Sequence, residues 1–181
     1  MAVTLRNSQD GDLAQITAIY AQHVLTGLAS FEEQPPELAE MAARRATVLA
    51  RGLPYLVAVE DERVLGYAYA GPYRTRPAYR FTLEDSIYMD PGAGRRGVGT
   101  QLLSALIDDC ARQGYRQMVA VIGDSDNQAS IALHRKLGFQ MTGVLRAVGF
   151  KFGRWVDSVL MQRALGPGHN TLPEAPAAPR P

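Results

Sequence analysis

Apolar residues recur along this chain at two spacings, and the switches between them mark out its elements. Residues 3–6 read as a short opening strand. Leu13, Ile16, Ile19 and Tyr20 then share one helical face, with Asp10-Gly11-Asp12 placed to cap its start. Leu38, Met41, Ala42 and Val48 predict a second helix, opened by Pro35-Pro36 and ended by Gly52. Residues 55–59 and 64–70 are β-rich runs joined by a polar stretch at 60–63, which predicts a hairpin. A basic, aromatic loop follows at 74–80, then a third strand over 81–89, closed by Asp90-Pro91-Gly92.

The second half changes rhythm. Leu102, Leu103, Leu106, Ile107 and Cys110 repeat at helical spacing as far as Gly114. Residues 118–122 are a short apolar run suited to a buried parallel strand. A helix over 127–137 stops at Gly138, and 144–150 and 155–161 are two more strands. Neighbouring strands come first, then strand–helix–strand–helix–strand. That order predicts an α/β fold: a mixed sheet, partly antiparallel and partly parallel, with helices on both faces. Residues 1–165 make this one domain. Residues 166–181 carry five prolines and no apolar periodicity, and are expected to be a mobile tail outside the fold.

Composition narrows the function classes. With 181 residues, 46% of them hydrophobic, the chain fills a single core. Nineteen basic residues against eighteen acidic ones leave +1, which gives no electrostatic reason to expect nucleic acid or an anionic membrane as partner. The single cysteine, Cys110, excludes an internal disulfide and a cysteine-built zinc cage, and no metal site is expected. No apolar run reaches the roughly 18 residues that span a bilayer, and the N-terminus lacks a signal peptide's apolar core. The expectation is a soluble, cytoplasmic protein.

One stretch carries candidate chemistry. Residues 87–100 lead from a strand through a glycine-rich turn into an amphipathic helix. A helix's first turn has N–H groups without partners and the positive end of the macrodipole, and glycines let backbone approach an anion closely. The turn therefore predicts a phosphate or pyrophosphate cradle, with Arg95 and Arg96 adding charge. A plain flexible turn is the alternative. A Walker loop needs lysine before Thr100, where Gly99 stands. Gly92, Gly94 and Gly97 do spell G-x-G-x-x-G, but the next strand leads to Gly123 instead of the acidic residue a dinucleotide site requires.

Gly94-Arg95-Arg96-Gly97-Val98-Gly99 resembles the Gln/Arg-x-x-Gly-x-Gly/Ala signature of the GNAT acetyltransferase superfamily, departing from it at Gly94. Asn127, Ser130, Leu133, Leu137, Gly138 and Phe139 match its second element, Asn-x-x-Ala/Ser…Leu-x-x-x-Leu-Gly-Phe. Residues 69–79, 84–88, 119–122 and 145–157 are similar to the phosphinothricin and methionine sulfoximine N-acetyltransferases within it. That resemblance implies a mostly antiparallel sheet splayed at the cofactor site, acetyl-CoA as co-substrate, acetylation of a small amino acid's α-amino group, and a homodimer. It also implies backbone contacts to the cofactor from Ile87, Tyr88 and Met89. The pyrophosphate would be held by Arg95, Arg96, Gly97, Val98, Gly99 and Thr100, with further cofactor contacts from Asn127 and Lys136.

Acetyl transfer needs a base to free the amine, a polarised carbonyl and a protonated leaving thiol. Glu84 lies among Phe81, Leu83 and Ile87, where burial would raise its pKa from about 4.3, and the resemblance puts the base there too. A solvent-facing carboxylate, or one bridged by Arg74 or Arg76, is the plain alternative. His134 falls where many superfamily members place a tyrosine beside the sulfur; an imidazole of pKa about 6.5 there would hydrogen-bond or protonate the departing thiolate. Backbone N–H groups near Tyr88 or Met89 would polarise the thioester carbonyl. Arg74, Arg76 and Arg80 suit an acceptor carrying a carboxylate or phosphinate. Phe31, Tyr73, Thr75, Pro77 and Tyr79, with Asp85 and Ser86, complete the expected substrate site. Trp155 reads as core or dimer-interface packing, and Cys110 as inert core. The rivals are acetylation of a peptide N-terminus, polyamine or antibiotic amine, and a non-catalytic acetyl-CoA sensor.

Overall fold

The computed structural model describes residues 2–93 and 96–173. Gly94 and Arg95 of the expected cradle, and 174–181 of the expected tail, lie outside the described residues. Seven strands form one sheet in the order β1-β2-β3-β4-β5-β7-β6. They are β1 (Thr4–Asn7), β2 (Tyr55–Glu60), β3 (Arg63–Pro72), β4 (Thr82–Met89), β5 (Gln117–Gly123), β6 (Gln140–Lys151) and β7 (Arg154–Ala164). Among the described residues only β4 and β5 run parallel, and the crossover that a parallel pair requires is α3 (Val98–Arg112).

Alternation along the central strands explains why helices cover both faces. Tyr55, Val57, Val64 and Tyr67 point to one side, where they pack with Ile16, Ile19, Tyr20 and Val24 of α1 (Leu13–Thr26) and Met41 of α2 (Leu38–Ala50). Leu56, Ala58, Leu65, Ala68 and Leu83 point to the other. There they meet Leu102, Leu103, Leu106 and Cys110 of α3 and Ile131 of α4 (Gln128–Lys136). The 60–63 stretch is a two-residue hairpin in which Asp61 and Glu62 both have positive φ, 47° and 67°, the twist that matches paired strands.

Several local expectations need correction. The start of α1 is not capped by an aspartate side chain. Asp10–Asp12 form a single tight turn, the Asp12 carboxylate accepts from Gln9 N–H at 2.7 Å, and Arg6 pairs with it. Pro35-Pro36 stands outside α2, whose cap position is Glu37; Leu38 is exposed, and Arg45 takes a buried place on the inner face. Arg45 donates to Ser8 O and Ser8 Oγ, both at 2.7 Å, and to Asp10 at 2.8 Å. Trp155 is no core residue: it is 66% exposed, at the head of β7. The first residues of the expected tail are tied to the fold, because Arg116 donates to Gly168 O, Thr171 Oγ1 and Leu172 O at 3.4, 2.9 and 3.1 Å.

Candidate active site

The β4–β5 ladder stops half-way. Thr82 to Asp85 pair with Gln117 to Ala120, but β4 continues to Met89 and β5 to Gly123 without pairing. The sheet is split there, as expected of a splayed sheet, and both strands leave backbone groups uncommitted. The β3–β4 register decides which ones. Tyr73 N–H donates to Thr82 O and Asp90 N–H to Leu65 O, so Pro72–Leu83 and Gly66–Met89 are the non-hydrogen-bonded pairs of an antiparallel ladder. Alternation turns the peptide groups of Ser86 and Tyr88 towards β3 and those of Ile87 and Met89 into the split. Of the three residues expected to offer backbone, Tyr88 is thereby spent on the sheet. Met89 C=O is also engaged, by His23 Nε2 of α1 at 2.8 Å. Ile87 N–H, Ile87 C=O and Met89 N–H remain.

A cavity of about 50 Å³ sits in the split, lined by Asp85, Ser86, Ile87, Tyr88, Ala120 to Gly123, Asn127, Ser130, His134 and Ala29. His134 and Asp85 close its floor as a buried pair, 3% and 1% exposed, with Nε2 3.0 Å from Oδ2. His134 Nδ1 lies 2.7 Å from Ser130 O. An ionised carboxylate only accepts, so Nε2 donates to Asp85, while Nδ1 has the Ser130 carbonyl to donate to and the Ser130 hydroxyl, at 3.3 Å, to accept from. Burial alone would lower the histidine's pKa. The Asp85 hydrogen bond and charge, with the Ser130 carbonyl, outweigh it and hold the pKa above 6.5. Asp85 Oδ1 is buried without a partner.

Glu84, one residue along β4, faces the opposite side and is half-buried. Burial first, and then the Asp85 charge, raise its pKa above 4.5 against the opposing pull of Arg74. Behind it stands a stack of tyrosines, Tyr55, Tyr67 and Tyr69, in which Tyr67 also lies against Tyr88 at 5.4 Å between centroids. The structure thus separates Glu84 from Asp85 across the strand and commits Asp85 to His134.

The basic loop lies elsewhere. Arg74, Thr75, Arg76, Pro77, Tyr79 and Arg80 line a second cavity of about 490 Å³ with Arg51, Leu53, Leu83 and Tyr115. Among the described residues no acidic side chain lines it. Tyr73 packs edge-on against Tyr79, and Arg74 connects this group to Glu84 electrostatically. Phe31 borders neither cavity; its ring lies over Gly149, where a Cβ would come within 2.5 Å.

At the other end of the split, Gly97 takes φ 76° at the N-cap of α3 with no side chain bonded into the cap, and a Cβ built on it meets nothing within 4 Å. The N–H groups of Val98, Gly99 and Thr100 precede the first intrahelical bond, Gln101 N–H to Gly97 O, and have no backbone partner among the described residues, which suits them to an anion. Arg96 is held by Glu60 in a two-point ion pair, 2.7 and 3.0 Å, instead of reaching over the turn. Asn127 caps α4 by accepting from Ser130 N–H and donating to Gly123 O. Lys136 is exposed in the last turn of α4 and borders neither cavity.

Residues 16–139 match the acetyltransferase (GNAT) family profile. The chain belongs to the GNAT acetyltransferase family. It is 60% identical over 173 residues to a phosphinothricin N-acetyltransferase of Alcaligenes faecalis, covering 96% of this chain and 88% of that one. An L-methionine sulfoximine/L-methionine sulfone acetyltransferase of Pseudomonas aeruginosa is 42% identical over 92% of this chain and 97% of its own. The crystal structure of a phosphinothricin acetyltransferase from Sinorhizobium meliloti in complex with AcCoA superposes with TM-score 0.94 at 49% identity, covering 99% and 97% of the two chains. His23, which engages the Met89 carbonyl beside the split, is a contact that the sequence did not mark. It sits 66 residues from the carbonyl it holds, and neither its spacing nor its neighbours in α1 mark it.

Proposed function

We propose that the protein transfers an acetyl group from acetyl-CoA to the α-amino group of a small amino acid or analogue of the phosphinothricin and methionine sulfoximine type. The observation that carries this reading is the split between β4 and β5. It offers the unpaired groups of Ile87 and Met89 along its length, free helical N–H groups at one end and the His134–Asp85 pair at the other. An extended amide-bearing arm with a diphosphate fits that set of donors and acceptors. The relatives named above support the donor and the acceptor class.

In this reading Glu84 takes one proton from the acceptor's ammonium, directly or through water, because its raised pKa makes it a better base than a surface carboxylate. Acetyl-CoA supplies the activated thioester: the new C–N bond forms as the C–S bond breaks. Ile87 or Met89 N–H stabilises the charge that develops on the carbonyl oxygen. His134 gives up its bond to Asp85 or to Ser130 to donate a proton to the leaving sulfur, and recovers one from the nitrogen's second proton, so nothing else is consumed. Arg74 and Arg76 hold the acceptor's carboxylate by paired N–H donors.

The same reading makes the protein a cytoplasmic homodimer. Its support is the hairpin of β6 and β7, where Val148, Phe150, Phe152 and Trp155 are each more than half exposed. Among the described residues no helix is long and apolar enough to cross a membrane. Thiol release with acetyl-CoA, over amino acids, their sulfoximine or phosphinate analogues and the carboxyl-blocked amides, tests the reaction. Turnover of the free acids alone supports it; equal turnover of the amides removes the arginines from recognition, and no turnover of any amine leaves a binding protein. Light scattering before and after Trp155→Glu tests the dimer.

A further inference from the structure

The cleft has a wall that neither the mechanism nor the sequence motifs account for: the segment after α1. Ala29 lines the cavity together with Ser86 and His134. The chain on either side of it is pinned at four points, three of them by parts far away in sequence. Lys151, at the end of β6 and only 2% exposed, sends its ammonium to Gly27 O at 2.9 Å and Ser30 O at 2.7 Å. Gly149, two residues earlier on the same strand, receives the Phe31 ring where a Cβ would clash. Gly123, at the end of β5, lies so close that a Cβ would stand 2.0 Å from Leu28 O. Tyr20 and Ser30 join their hydroxyls at 2.9 Å.

Burying an ammonium is costly unless its surroundings compensate it, and here the compensation is two carbonyl oxygens, that of Gly27, the C-cap at the negative end of α1, and that of Ser30 just beyond it. A cation is well matched to that place: it satisfies a carbonyl that the end of a helix leaves open, and a second one in the loop that follows. A neutral side chain of equal length would fill the space and leave those oxygens buried and unpaired. The segment touches the end of the split that holds Asp85 and His134. It does not line the N-terminus of α3, where a diphosphate would sit.

We infer that Lys151 is a positioning residue for the acceptor: it fixes residues 27–31 as the wall against which the amino acid is held beside the acetyl group. The inference rests on the proposed amino-acid acetylation and adds the residue that shapes its acceptor side. Lys151→Met, Lys151→Arg and Gly149→Ala are compared with wild type by steady-state kinetics in both substrates, together with amide hydrogen exchange across 27–31. Lys151→Met is expected to speed that exchange and to raise the acceptor KM about tenfold, the loss of a charge-assisted bond pair. The acetyl-CoA KM stays where it was. Lys151→Arg, which keeps charge and donors, gives a smaller rise. Gly149→Ala displaces the Phe31 ring without touching the ammonium and raises the same KM, so it decides the matter if Lys151→Met does not fold. An unchanged acceptor KM in a folded Lys151→Met protein, or an equal rise in both KM values, overturns the inference. Failure of the acetylation reading is told apart because it is already present in wild type, as absence of turnover with every amino acid.

Discussion

Replacing Asp85 by asparagine puts the electrostatics of the cleft to a quantitative test. The pair it breaks is almost fully buried, with Nε2 and Oδ2 3.0 Å apart. At an effective dielectric constant of about 20, two unit charges at that separation attract by about 5 to 6 kcal/mol, much of which offsets the cost of taking both from water. Removing one partner leaves the other charge uncompensated, and the expected loss is about 3–5 kcal/mol of stability at pH 6. The pH dependence follows from the direction of the shift. A histidine whose pKa is raised in the folded state contributes stability that is fully present below about 6.5 and is lost as pH rises through the folded value. The penalty for Asp85→Asn is therefore largest near pH 6 and declines in alkaline buffer. Asp85→Asn combined with His134→Gln, which removes both charges, recovers part of the loss. Urea unfolding of the four proteins at one fixed concentration, with the imidazole followed by NMR, reads out each quantity. A loss of less than about 1 kcal/mol for the single variant at pH 6, or an imidazole titrating at or below its ordinary value, would refute the reasoning.

Glu84→Gln should reduce kcat/KM by about 10²- to 10⁴-fold, and the acid limb of the wild-type profile should lie above pH 4.5. Because this carboxyl's pKa is raised on folding, its ionisation opposes folding as pH rises through the folded value, so the glutamine variant should melt higher than wild type at pH 7 and no higher below pH 4. Glu60→Gln releases Arg96 and should tighten acetyl-CoA binding by about twofold to fivefold at low salt, measured by calorimetry, with the gain fading as salt is added. Arg76→Ala should raise the acceptor KM about tenfold and leave that for acetyl-CoA unchanged, since a lost charge-assisted pair acts only on the acceptor carboxylate.

The elements were legible in the sequence because each helix and strand carries its own period: Leu102 to Cys110 for α3, and the apolar run at 118–122 for a strand whose flanks are covered. What periodicity cannot convey is the far side of a contact. Lys151 meets its carbonyls 124 and 121 positions away, and Arg45 reaches Ser8 across 37. Nothing near either residue distinguishes it from a solvated cation. The apolar character of β6 was equally visible, but a run of Val144, Leu145, Val148 and Phe150 reads the same in a core as on an open sheet edge, and here all four are exposed. The turn at Gly97 and the half-burial of Glu84 were readable because each depends on neighbours in the chain. Which backbone groups face the split was not, because it depends on the parity of the β3–β4 register, set by bonds at Tyr73 and Asp90. The pairing of His134 with Asp85 depends on α4 being laid across β4 from 49 residues away.

Residue-resolved amide exchange with and without acetyl-CoA bears most directly on the account. Ile87 and Met89 N–H point into the split and should exchange markedly more slowly once the donor is added. Tyr88 N–H, already bonded to β3, should be slow in both states. If saturating acetyl-CoA leaves Ile87 and Met89 exchanging as before, the split between β4 and β5 is not where the acetyl donor lies.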